Sequence, residues 1–123
     1  MKVCVALDGD GKIAITSRAK YMGLGELRDG TVIIEKLVDN PALKARERRP
    51  TFIAECARLG AEAVVAAHGS YCAPSSAAAR RLGLRLLVAD AGDRPESPRL
   101  RGSGVAEVVY SSFLAVVERI RGH

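Results

Sequence analysis

Two short segments hold most of the side chains that could do chemistry. The first is His68-Gly69-Ser70-Tyr71-Cys72, followed at once by Ala73-Pro74. An imidazole and a thiol four residues apart could ligate a soft or borderline metal. Pro74 favours the first turn of a helix, and free amides at such a helix start point at an anion. Gly69 would let a ligand approach the backbone. Ser70, Ser75 and Ser76 add hydroxyl donors, and Tyr71 belongs to the same candidate ligand-binding turn. The second segment is Asp8-Gly9-Asp10-Gly11, two carboxylates in a glycine-rich turn. Arg18 follows as a positive charge suited to an anionic guest.

Each residue also has a structural alternative. Asp8 and Asp10 are common turn formers. His68 at a strand end could simply be hydrogen-bonded, and Cys72 could act as a small hydrophobe. Cys4 and Cys56 read as core residues, and residues 44–49 as a solvated basic loop. His123 reads as a loose chain terminus.

The elements that must position these groups are legible from periodicity. Lys2 to Asp8 is a short apolar run ending in a turn signal, and both its faces are apolar, as in a central strand. A short extension is expected from Lys12 to Thr16. Tyr21–Leu27 and Thr31–Val38 flank Arg28-Asp29-Gly30, a strong hairpin signal. Thr51–Leu59 reads as a helix stopped by Gly60, Ala63–Ala67 as a buried strand, Pro74–Leu82 as a helix, and Leu84–Ala89 as another buried strand. Arg58-Leu59-Gly60 and Arg81-Leu82-Gly83 each lead into a strand, the rhythm of parallel α/β winding. Residues 90–104 read as a long loop. Val105–Tyr110 reads as a further strand, and Ser111 or Ser112 as the cap of a last helix.

The expected fold is therefore one α/β domain over residues 1–123. It has a mixed sheet of order 3-2-1-4-5 with helices on both faces, a ribonuclease-H-like arrangement. Right-handed crossovers restrict the alternatives. In such a sheet, ligands bind where connections leave the first and fourth strands in opposite directions. That places Asp8 beside His68.

Composition narrows the function. The chain carries 19 basic and 14 acidic residues, a net charge of +5. This favours anionic partners without requiring nucleic acid. With no Trp, two Phe and three Tyr, a base-stacking platform is hard to furnish. No apolar run reaches the ~18 residues of a membrane span. The default address is the cytoplasm. Asn40 is the lone asparagine and there is no glutamine, a compositional sign of a thermophile source. Three cysteines without CxxC match neither a secreted disulfide framework nor a zinc finger.

The opening Met1-Lys2-Val3-Cys4-Val5-Ala6-Leu7-Asp8-Gly9-Asp10-Gly11-Lys12-Ile13 resembles the start of the dinitrogenase iron–molybdenum cofactor-binding domain family. Arg18-Ala19, Asp29-Gly30, Asn40-Pro41 and Arg58-Leu59-Gly60-Ala61-Glu62-Ala63-Val64-Val65 follow in the family's order, over residues 1–90. The resemblance implies a small ribonuclease-H-like domain that binds or carries metal-cluster precursors, an iron–sulfur or iron–molybdenum cluster. The chain departs from the pattern before Arg18. It has Ile15-Thr16-Ser17 where the family has His-Phe-Gly, so that histidine ligand is missing. His68 and Cys72 are the residues expected to replace it.

The leading expectation is a non-catalytic module holding a small anionic ligand or metallocluster at Asp8, Gly9, Asp10, Arg18, Gly69, Ser70 and Tyr71, with His68 and Cys72 as metal ligands. A ribonuclease-H-type nuclease would need Asp8, Glu55 and Asp90 gathered around divalent ions. A thiol enzyme would need Cys72 activated by His68. A homodimer through the open edge of the 21–38 hairpin is a further expectation.

Overall fold

The computed structural model describes residues 1–122; His123, read above as a loose terminus, lies outside them. Six strands form one sheet: β1 (Lys2–Leu7), β2 (Tyr21–Arg28), β3 (Thr31–Asp39), β4 (Ala63–Ala67), β5 (Arg85–Ala89) and β6 (Arg101–Gly102). Their order is β3-β2-β1-β4-β5-β6, the expected ribonuclease-H-like order with one short edge strand added. β1 pairs antiparallel with β2 and parallel with β4, and β4 pairs parallel with β5. The β2–β3 hairpin turns on Asp29 and Gly30, both at positive φ (52° and 76°), the geometry that matches the twist of the flanking strands.

Three helices complete the chain: α1 (Arg48–Arg58), α2 (Ala73–Leu82) and α3 (Val105–Ile120). α1 supplies Phe52, Ile53 and Cys56, and α2 supplies Ala78 and Ala79, to a core over Cys4, Ala6, Met22, Val64, Ala66 and Val88. The opposite face holds Val3, Val5, Leu7, Val65, Ala67 and Ala89, packed with Ile13, Val32 and Leu100. No helical residue enters that second cluster, so helical cover is concentrated on the first face. Residues 90–100 cross the second face instead. Gly92 N donates to Ile13 O, Ile13 N to Asp93 O, and Val32 N to Pro95 O, all at 2.8–2.9 Å. The Asp93 carboxylate accepts from Asp90 N and Arg99 N, which fixes this long connection.

Four local expectations are corrected. Val105–Tyr110 is not a strand but the first part of α3. Its β-branched residues are outvoted because Glu107 and Ser111 lie on the helical face that docks. Residues 44–49 are not a solvated loop. They span the end of a 3-10 turn (Pro41–Lys44), capped by Asn40 on Ala42 N, and the start of α1, with Arg49 only 4% exposed. The Lys12–Thr16 extension contributes a single bridge, Leu7 to Ile13. Cys4 and Cys56 are core residues as expected, but they are joined by a disulfide between β1 and α1, Cα to Cα 5.7 Å. Cys72 is left free and buried.

Candidate functional site

Asp8 and His68 do follow adjacent parallel strands. The space between the two strand ends is filled by the chain itself. Ala14 N donates to Ala6 O (2.9 Å) and Ala67 N donates to Ala14 O (3.0 Å), so the segment after Ile13 threads between them. Thr16 N then donates to Ser70 Oγ, and Asn40 Nδ2 donates to Thr16 O and Ala19 O. The expected crevice is closed by these bonds. The Asp8 carboxylate accepts from Asp10 N and Lys12 N and organises its own turn, while Gly9 and Asp10 are exposed at the tip.

The 68–72 segment is equally committed. Ser70 Oγ donates to Ala67 O at 2.6 Å and is fully buried. Tyr71 is also fully buried, its hydroxyl within hydrogen-bond distance of Val64 O and Leu87 O. Burial, reinforced by the Glu107 charge, pushes the Tyr71 phenol well above its usual range. Neither hydroxyl is offered to a surface ligand. Gly69 has φ +101°, and a Cβ there would stand 2.7 Å from Leu114 Cδ1. Its glycine serves the docking of α3. His68 Nδ1 bonds Glu107, and its ring stacks on Tyr110 at 4.0 Å.

Sequence reasoning missed the carboxylates of α3. Glu107 Oε2 accepts from Gly69 N and from Ser111 Oγ, both at 2.7 Å. Burial raises the Glu107 carboxyl, but these donors and His68 outweigh it and the net shift is downward. Glu118 accepts two bonds from Arg49 and one from Ser17 Oγ. Burial again opposes the charge, and Arg49 holds the carboxyl below its usual range. Arg18 is largely exposed and approaches Glu118 at 3.8 Å. The missed signal is the spacing Glu107, Ser111, Leu114, Glu118, which is one face of a helix.

A cavity of about 290 Å³ opens beside this network, where the first turns of α1 and α2 meet α3. Arg46, Arg48, Arg49 and Arg119 line it, with Glu47 as the one acidic residue and Cys72 among the apolar lining. Glu118 neutralises Arg49. Neither N-cap residue, Glu47 of α1 nor Cys72 of α2, caps its helix with its own side chain, and neither first turn holds a carboxylate, although Ser112 Oγ accepts from Ala73 N at the start of α2. Arg48 Nη1 donates to Ser17 O, but its buried Nε has no partner. Arginine forks, two helix N-termini and an excess of positive charge together favour an anion. Cys72 Sγ lies 3.2 Å from Ser75 Oγ, while His68 is engaged by Glu107. Among the described residues, no three His, Cys, Asp or Glu side chains gather as a metal site. Asp8, Glu55 and Asp90 are engaged separately, the last two by Arg58 and Arg101.

No family model and no curated protein matches the chain. The crystal structure of PH0822 is similar to it, with a TM-score of 0.52 and 17% identity, covering 99% of this chain and 92% of that one. The likeness is one of fold. Among the described residues, no helix is long and apolar enough to cross a membrane.

Proposed function

We propose that this protein is a small non-catalytic binding module for an anionic ligand. The ligand sits at the carboxyl end of the sheet, in the cavity lined by Arg46, Arg48, Arg119 and Cys72. One observation carries the reading: this cavity combines the unneutralised Arg46, Arg48 and Arg119, the start of α1 without a side-chain cap and a buried, unpaired Arg48 Nε.

The resemblance to the dinitrogenase cofactor-binding family fits this class of ligand. A bare metal ion needs three or four protein ligands. A preassembled iron–sulfur or iron–molybdenum cluster brings its own sulfides and a negative charge, so one thiol, Cys72, and the arginines suit it better. His68 does not line this cavity, and Glu107 holds its Nδ1. A cytoplasmic address and a thermophile source belong to the same reading. Disulfides such as Cys4–Cys56 are rare in mesophile cytoplasm and frequent in hyperthermophiles.

Calorimetric titration of oxygen-free protein with molybdate and with inorganic phosphate tests the reading. Saturable binding is expected. Each of Arg48→Ala and Arg119→Ala should weaken it roughly tenfold or more, since a charge-assisted hydrogen bond is worth about 1.5–3 kcal/mol. No binding of either anion, or affinities untouched by both substitutions, refutes the site. Anaerobic reconstitution with iron and sulfide then tests the cargo. Metal content lost in Cys72→Ala supports a cluster, and content unchanged in both His68→Ala and Cys72→Ala removes it.

A further inference from the structure

Helix α3 is amphipathic in the reverse sense for a surface helix. The side chains it buries are polar: Glu107, Ser111 and Glu118. Six of its large apolar side chains face out, while Val108, Leu114 and Val117 are half-buried. Val105 is 82% exposed, Phe113 65% and Ile120 81%, with Val109, Tyr110 and Val116 also exposed. Val105, Val109, Phe113, Val116 and Ile120 are spaced by 4, 4, 3 and 4 residues, which is one continuous seam along the helix. The exposed seam offers on the order of 600 Å², at the upper end for the largest apolar patch of a monomer and approaching the ~800 Å² each partner gives a standard interface.

We infer that two copies of this chain pair through α3, antiparallel, about a two-fold axis near Phe113. A two-fold interface requires a patch complementary to itself. The seam meets that requirement in one direction only. Its flanking charges, Arg119 and Arg121, lie at the C-terminal end. Antiparallel pairing separates the two arginine pairs by about 20 Å of helix, well beyond the ~8 Å screening length at physiological salt. Parallel pairing would stack them and align the helix dipoles. Antiparallel pairing also sets Ile120 of each copy opposite Val105 of the other, beside the apolar groove formed by Leu84, Leu86, Val105, Val108 and Val109. The outer edge of β3 is a poorer route, because Val32 N already donates to Pro95 O there.

Light scattering on the full chain, from low to high micromolar concentration, tests this. The expected mass is twice the 13.1 kDa of one chain, falling to one chain in Phe113→Glu, whose circular dichroism should match the wild type. Under mild oxidation Phe113→Cys should cross-link far faster than Val105→Cys, because only residues near the axis face their own copies. A monomer throughout the range, or a dimer that survives both Phe113→Glu and Val109→Glu, overturns the inference. Equal cross-linking by the two cysteine variants overturns the antiparallel arrangement. A monomer that pellets with phosphatidylserine vesicles overturns it in favour of a lipid surface.

Discussion

Arg49 reaches across the carboxyl end of the sheet and holds Glu118 with two nitrogens, Nη1 to Oε1 at 2.7 Å and Nη2 to Oε2 at 3.1 Å. The same guanidinium donates through Nε to Gly69 O at 2.9 Å. One side chain thus ties the start of α1 to the end of α3 and to the turn after β4.

Breaking that pair leaves a charge buried without compensation. Glu118→Ala should cost about 3–5 kcal/mol, while Arg49→Met combined with Glu118→Leu should recover part of the loss. Urea unfolding of the two variants measures both effects. A cost below about 1 kcal/mol for Glu118→Ala would mean that the pair behaves as a solvated surface contact.

Acid should loosen the protein through the same helix. Glu107 and Glu118 both titrate below the ordinary value of 4.5 in the folded chain. A carboxyl whose folded value is depressed adds stability that is complete above its unfolded value and is lost as pH falls through the folded one. Unfolding free energy should therefore hold steady above about pH 4.5 and decline below it. Glu107→Gln and Glu118→Gln should each make that decline shallower. Urea midpoints across the acid range check the slope, and an identical slope in wild type and both variants would refute the assignment.

Gly69 is needed for two separable reasons, its φ of +101° and the approach of Leu114. Gly69→Ala should cost about 1–3 kcal/mol from backbone strain together with the clash. Adding Leu114→Ala should relieve only the clash, so the two costs combine non-additively. A double-mutant cycle on thermal unfolding reads the coupling, and strict additivity would mean that the two residues do not touch.

The Cys4–Cys56 disulfide predicts one reactive thiol, Cys72, when the oxidised chain is denatured, and three after reduction. Closing the 52-residue separation between them should add about 2–4 kcal/mol of stability that a reductant removes. Thiol titration in denaturant and urea unfolding with and without reductant test both numbers. Three thiols in the unreduced chain would rule the bond out.

The sheet was legible because its signals are local. Alternation within β1, the Asp29-Gly30 turn and the repeated helix–glycine–strand rhythm each lie within a few residues, and right-handed crossovers then permit few orders. The site was less legible. The topology rule set the ends of β1 and β4 side by side, but no periodicity reveals that Ala14 would bond both Ala6 and Ala67 and fill the space between them. The 44–49 run was misread for a similar reason. A string of basic residues looks solvated until one member finds a carboxylate sixty-nine residues away.

Sequence by itself determined the architecture of this protein and the order of its five main strands. Those follow from side-chain period and turn chemistry, which act over short stretches of chain. Tertiary structure alone decided which polar groups remain free. Bonds to Thr16 and Leu87, distant along the chain, engage Ser70 and Tyr71, Asp8 is engaged within its own turn, and Arg46, Arg48, Arg119 and Cys72 are left around a cavity. It also decided that α3 turns Glu107 and Glu118 inward and Val105, Val109 and Val116 out, because buried partners for the two glutamates exist only once the sheet and α1 are in place.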